Sequence, residues 1–262
     1  MNIPRKELLK NCKNPLGMEE LLKQADSVLR TWQPIWSPFV TAPLREEALE
    51  IMSPLNNLHW HTDGGHPGAE RQRLQCIRYE EERPTTAESA PIEGVRIEGN
   101  FLFDRASPND FRQSLEMIGV PSGGLGDIWI RGDRGAQALC TPNTAKFLNN
   151  RTSSIRDVQI RCEAVRKGEL QLPNQRLTKI FSTVEASKRI DAIASAGFGL
   201  SRAKIVTQIK EGRLRLNWEP IKQSNKELGV GDRIQCEGRG TLKIISLDLT
   251  KRKRWRVELL RQ

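Results

Sequence analysis

Apolar positions at helical spacing dominate the first fifty residues. Met18-Glu-Glu-Leu-Leu-Lys-Gln-Ala-Asp-Ser-Val-Leu29 places Leu21, Leu22, Ala25, Val28 and Leu29 on one stripe, the signature of an amphipathic helix. Trp32-Gln-Pro34 and Ser37-Pro38 interrupt the helical pattern. It resumes over Ala42–Met52, where Pro43 suits a first turn. Leu58–His66 then reads as a short strand ending in a turn, and 70–79 as another strand. Residues 80–91, rich in Glu, Pro and Thr, read as a loop.

The middle of the chain alternates more regularly. Val95–Gly99 predicts a strand. Ser107–Ile118 predicts a helix with Ser107 as N-cap and Pro108 at its first position. Asp127–Arg131 and Ala136–Cys140 predict strands joined by Gly132-Asp-Arg-Gly135. Thr144–Asn149 predicts a short helix and Val158–Val165 a last strand. The order strand-helix-strand-strand-helix-strand is the split βαβ, ferredoxin-like pattern that also underlies RNA-recognition modules. The aromatic signature those modules use to stack bases is missing from this segment, which leaves its arginines as the groups to touch RNA.

Beyond a linker at 172–176, the pattern turns compact. Ile190, Ile193 and Ala194 mark the buried face of a helix over about Ser187–Phe198, with Gly197 and Gly199 at its end. Ser201 is placed to cap a second helix, which buries Ile205, Val206 and Ile209 and stops at Gly212. Leu214–Asn217 and the residues after Val230-Gly-Asp-Arg-Ile234 predict strands. Lys251–Val257 predicts a closing strand, with Arg252, Arg254 and Arg256 on one face.

Charge sharpens this division. Phe181–Gln262 holds 18 Lys and Arg against 9 Asp and Glu, a net of +9 out of the chain's +10, whereas the first 180 residues hold 24 against 23. A positive field confined to one segment is the footprint of a nucleic-acid module. The cations at its helix starts are Lys188, Arg189, Arg202 and Lys204, and Lys210, Arg213 and Arg215 extend the patch. A helix start with exposed N–H groups and Arg202 beside it can seat a phosphate. Arg252, Arg254 and Arg256 serve equally well as a row of phosphate contacts or as charges that blunt an edge strand.

Ser187-Lys-Arg-Ile-Asp191, Gly199-Leu-Ser-Arg-Ala-Lys204 and Glu211-Gly-Arg-Leu-Arg-Leu-Asn217 resemble, in order and spacing, the ribosomal-protein-S4-like RNA-binding domain. That resemblance assigns Arg189 and Arg202 to RNA contact, with Asp191 orienting a neighbouring arginine. Upstream, Gly64-Gly-His-Pro-Gly-Ala-Glu-Arg71 resembles the Gly-Gly…Ala-Glu-Arg element of YlmH-type proteins. Gly119-Val-Pro-Ser-Gly-Gly-Leu-Gly-Asp-Ile128 resembles their Leu-Gly…Gly-Asp-Ile element, and Lys253-Arg-Trp-Arg256 their closing strand. His66 replaces the family's aromatic residue, and Ser122–Leu125 replaces its more charged residues. The branch this chain most resembles is the cyanobacterial and plastid one, the photosystem II S4 domain proteins.

The expectation is a three-part α+β protein: a helical N-terminal region over 1–91, a ferredoxin-like domain over 92–171 and an S4-like domain over 178–262. The resemblance implies a non-catalytic protein that binds rRNA and tRNA on the large ribosomal subunit, in translation or stalled-ribosome quality control. The alternatives are an RNA-modifying enzyme subunit and a protein-interaction adaptor linked to photosystem biogenesis. Synthetases with this domain carry His-x-Gly-His and Lys-Met-Ser-Lys-Ser-like motifs, which are missing, as is a Gly-x-Gly-x-x-Gly loop. No cofactor is expected. His59, His61, Asp63 and His66 invite a metal, but a packed strand and loop is the preferred reading. No apolar run reaches the roughly 20 residues of a membrane span. Five scattered cysteines without a Cys-x-x-Cys pair suit a reducing compartment, the cytoplasm or a plastid stroma.

Overall fold

The computed structural model describes residues 3–10, 12–79, 88–173 and 177–262. The loop expected over 80–91 therefore lies mostly outside the described residues, as does most of the expected linker. The chain divides into two units, Met1–Pro173 and Asn174–Gln262.

In the first unit, α1 (Arg5–Leu9) leads into α2 (Pro15–Thr31). The Asn14 side chain caps α2 by accepting from the Gly17 N–H. Met18, Leu21, Leu22, Ala25 and Val28 form its buried face, while Leu29 stays half-buried. A two-residue strand that periodicity did not show, β1 (Ile35–Trp36), precedes α3 (Ala42–Met52). Strands β2 (Leu58–Asp63) and β3 (Arg73–Arg78) follow, and the sheet order is β1-β3-β2. Leu58, Leu74 and Cys76 from this sheet share one core with Met18, Leu22, Ala48 and Met52 from the helices.

The same unit continues with β4 (Glu93–Gly99), α4 (Pro108–Met117), β5 (Leu125–Ile130), β6 (Gly135–Cys140), α5 (Pro142–Leu148), β7 (Thr152–Ile155) and β8 (Val158–Val165). Ser107 and Asp110 form a reciprocal capping box at the start of α4. The antiparallel sheet runs β5-β6-β4-β8-β7. This is the ferredoxin-like order with one added edge strand, β7. Helices α4 and α5 cover one face, where Phe111, Leu115, Ala145 and Leu148 pack on Val95, Ile97, Ala138 and Ile160.

The opposite face is the one an RNA-recognition sheet leaves open for bases. Here Phe39, Ile92 and Leu170 pack against its Leu139 and Val165. The segment after β8 crosses it. The Gln171 N–H donates to Gln137 Oε1 at 2.9 Å, and Trp129 Nε1 donates to the Gln171 carbonyl at 3.0 Å. Gly94 permits the approach, since a Cβ there would meet the Leu170 side chain at 2.6 Å.

The second unit comprises β9 (Lys179–Glu185), α6 (Ile190–Phe198), α7 (Arg202–Lys210), β10 (Leu214–Leu216), β11 (Glu219–Pro220), β12 (Arg233–Cys236), β13 (Gly240–Leu249) and β14 (Trp255–Arg261). The sheet order is β11-β10-β12-β13-β14-β9. Ile190, Ile193, Phe198, Ile205 and Ile209 pack on Leu214, Ile234, Leu242, Val257 and Leu259. Gly199 closes α6 at φ 66°, and Ser201 Oγ accepts from the Lys204 N–H to cap α7.

Three expectations change here. Helix α6 starts at Ile190, not Ser187, because Arg189 has extended backbone. Val206 is half-buried, not buried. The closing strand starts at Trp255, so Arg252 and Arg254 lie outside it. Residues 250–254 instead form a turn, in which the Thr250 N–H donates to the Arg254 carbonyl at 2.7 Å and Lys253 takes φ 55°. The single face expected for Arg252, Arg254 and Arg256 therefore does not form.

Candidate nucleic-acid interface

The start of α6 is fixed by the segment 224–228. The Ile190 N–H donates to the Lys226 carbonyl at 2.8 Å, and the Leu228 N–H donates to the Lys188 carbonyl at 3.0 Å. Arg189 Nε and Nη2 donate to the two Asp191 carboxylate oxygens at 3.0 and 2.9 Å. Asp191 is 6% exposed, whereas Arg189 is exposed. A buried carboxylate thus sets the direction of an exposed guanidinium.

Glu185, at the end of β9, links Arg202 to Trp255. Its carboxylate lies 3.7 Å from Arg202 Nη2. Its cross-strand partner is Trp255, and Lys188 Nζ sits 5.0 Å from the Trp255 ring centroid. Lys188 also lies 3.4 Å from Glu227. Arg202 and Lys204 stand exposed in the first turn of α7. Arg252 and Arg254 are exposed in the turn that enters Trp255. The structure therefore brings Lys188, Arg202 and Trp255 around Glu185, with Arg189, Lys204 and the turn arginines adjoining along the chain.

The remaining predicted cations lie elsewhere. Lys210 ends α7 and Arg213 follows between α7 and β10, where it pairs with Glu211 at 3.4 Å and Glu237 at 3.8 Å. Arg215 and Arg256 alternate with inward-facing neighbours on β10 and β14, so both point to the sheet face away from the helices. Periodicity did not reveal Trp255 or Glu185 as parts of the site. Their role depends on the pairing of β14 with β9.

The first unit uses its charges differently. Asp127 accepts from the Glu70 N–H at 2.8 Å, the Arg71 N–H at 2.9 Å and His66 Nε2 at 3.2 Å. Arg71 Nε and Arg112 Nη1 both donate to the Leu125 carbonyl, at 3.1 and 3.2 Å, and Arg112 Nη2 donates to the Gly126 carbonyl at 2.5 Å. Burial alone would raise the Asp127 carboxyl, but the hydrogen bonds from His66, Arg71 and Glu70 hold it below its ordinary value. Burial would lower His66, yet the Asp127 hydrogen bond and charge raise it overall. Burial, assisted by neighbouring Arg71, pushes the Arg112 guanidinium down to about 10. The Ala-Glu-Arg and Gly-Asp-Ile elements therefore clasp each other.

The histidines are engaged separately: His59 stacks on Tyr79 at 4.3 Å, His61 meets the edge of Trp36, and His66 meets Asp127. Among the described residues no group of three or more His, Cys, Asp or Glu is placed to hold a metal. Burial pushes the thiols of Cys76 and Cys140 up to about 12, far from reactive thiolates. Among the described residues, no helix is long and apolar enough to cross a membrane.

Residues 14–80 match the family model "YlmH, N-terminal", and residues 188–234 match the "S4 domain". The chain thus carries a segment similar to the YlmH N-terminal region ahead of one similar to the S4 domain. Over 200 residues it is 24% identical to "Ribosome-associated protein quality control protein P2" of Bacillus subtilis (strain 168), covering 76% of each chain. A solved structure, "Cell division protein ylmH from Streptococcus pneumoniae", aligns over 61% of this chain and 94% of that one, at 13% identity and a TM-score of 0.47. The two family models and the Bacillus relative support the YlmH-type family. The S4 match spans Lys188, Arg189, Arg202, Lys204, Lys210, Arg213 and Arg215. Gly-Asp-Ile128 falls outside both matches.

Proposed function

We propose that this protein is a non-catalytic RNA-binding protein of the ribosome, contacting large-subunit rRNA and tRNA during quality control of stalled translation. The observation that carries this reading is the cluster of exposed Arg189, Arg202 and Lys204 with half-buried Lys188, all inside the S4-matched segment, in which Asp191 orients Arg189 and Glu185 lies beside Arg202. Such cations attract phosphate, and the α7 N-terminus adds N–H groups directed the same way. The ribosomal setting comes from the name of the Bacillus relative. Membership of the cyanobacterial and plastid branch, and a cytoplasmic or stromal location, belong to the same proposal.

Crosslinking the protein to RNA in cells and sequencing the adducts tests it. The expected result is enrichment of large-subunit rRNA and tRNA over messenger RNA. Adducts spread over messenger RNA in proportion to abundance would contradict the ribosomal reading.

A further inference from the structure

The turn between β10 and β11 holds a tryptophan in backbone that tryptophan disfavours. Leu216 and Glu219 are cross-strand partners, so Asn217 and Trp218 are the two loop residues of a hairpin. Their φ values are 48° and 75°, the positive pair that a type I′ turn requires. Asn suits the first position. Gly ordinarily fills the second, because a side chain there crowds the backbone.

Asn217 and Asp232 hold the turn through four hydrogen bonds. The Asn217 N–H donates to the Arg233 carbonyl at 2.8 Å, and Asn217 Nδ2 donates to Asp232 Oδ1 at 2.8 Å. Asn217 Oδ1 accepts from the Arg233 N–H at 2.9 Å, and Asp232 Oδ2 accepts from the Gly229 N–H at 2.7 Å. Trp218 itself is half-exposed and lies outside the set of side chains packed on the unit's apolar core. The Arg233 guanidinium sits over it, 4.9 Å from the ring centroid. A large aromatic kept at a strained, partly exposed turn without joining the core points to use at the surface.

A second pair of the same kind stands in the same unit. Lys188 lies over Trp255, and its carbonyl accepts from Leu228, the residue before Gly229. The short segment 228–233 thus connects two cation–tryptophan pairs within the basic unit. Every nucleobase has a π face, and an aromatic platform beside cations is how proteins hold unstacked bases while the cations track the phosphates.

We propose that Trp218, backed by Arg233, is a stacking platform for an unpaired nucleobase, so that the second unit takes RNA with looped or single-stranded nucleotides. This rests on the RNA-binding reading above. Duplex RNA keeps its bases stacked on one another and offers no partner to the indole.

The test compares full-length wild type, Trp218→Gly and Trp218→Phe on two labelled probes, an RNA hairpin with an unpaired loop and a fully paired duplex of equal length. Glycine is the residue the turn prefers, so Trp218→Gly should melt at the wild-type temperature or above. Its affinity for the looped RNA should fall roughly 5- to 150-fold, the range of one lost base stack. Its duplex affinity should not change, and Trp218→Phe should keep most of the looped-RNA affinity. Unchanged looped-RNA binding by Trp218→Gly overturns the proposal, as does an equal loss on both probes or a lower melting temperature. If wild type binds neither probe, the RNA reading beneath the proposal fails with it. Normal Arg202-dependent binding without a Trp218 effect overturns the stacking alone.

Discussion

Arg112 in the first unit and Arg202 in the second differ in where their charge goes. Arg112 donates to the Leu125 and Gly126 carbonyls, and burial lowers its pKa to about 10. Arg71 and Arg73 behave likewise, Arg73 donating to the Ser37 and Pro91 carbonyls at 2.7 Å. Arg202 has a 53% exposed side chain, and its carboxylate neighbour Glu185 stands at 3.7 Å. A guanidinium whose donors end on buried carbonyls is structural. One that stands in water beside a distant carboxylate remains available to phosphate, because a surface ion pair contributes only about 0–1 kcal/mol. The charge totals single out the second unit. Hydrogen-bond endpoints explain why arginines in the other unit serve the fold.

The sharpest way to break this contrast is Asp127→Ala. It removes the acceptor shared by His66, Glu70 and Arg71 and takes a negative charge away from the half-buried Arg71 and Arg112 guanidinium groups. The expected loss is about 3–5 kcal/mol of stability, read by calorimetry, with RNA affinity retained below the melting range. Wild-type melting would show that the clasp does not hold the first unit. Ile205→Ala provides the matching core lesion in the second unit and should cost about 2–5 kcal/mol.

Binding variants come next in size. Arg202→Ala should weaken RNA binding by about 1–3 kcal/mol while melting like wild type. Arg189→Ala should weaken binding over the same range and also lower stability, because it strands the buried Asp191 carboxylate. Fluorescence titration beside thermal melts separates the two effects. Arg256→Ala, on the opposite sheet face, should do less than either.

The smallest effect is a pH dependence confined to the first unit. His66 is raised above 6.5, so its contribution is complete below pH 6.5 and is lost as pH rises through the folded value. Asp127 is depressed below 3.8, so its contribution holds above that pH and is lost as pH falls through the folded value. Between pH 6 and 8 the wild type should lose more stability than His66→Gln. Parallel curves for the two proteins would remove His66 from the clasp.

Much of this was legible along the chain because its signals are local. Ser107 with Asp110, Gly199, Ser201 and Gly212 cap or end helices through neighbours a few residues away. The ferredoxin-like order followed from turns and caps of the same kind. What escaped depends on distant partners. Strand β9 shows weak alternation because Ile180 and Val184 face solvent, and it is defined by pairing with β14 some seventy residues later. Arg252 and Arg254 alternate with Arg256 as a strand would, but Lys253 turns left-handed and starts the strand late. The Gly-Asp-Ile element resembled part of an RNA-binding domain. Its Asp127 instead meets backbone N–H groups 56 and 57 residues earlier in the chain.

The central claim is that RNA meets the second unit and not the first. Ultraviolet crosslinking of the full-length protein to ribosomal RNA, with the adducted peptides mapped by mass spectrometry, tests it directly. The account predicts adducts concentrated in 187–256, on peptides carrying Lys188, Arg202, Trp218 and Trp255. Adducts concentrated instead in 64–131, on peptides carrying Arg71, Arg112 and Trp129, would contradict it.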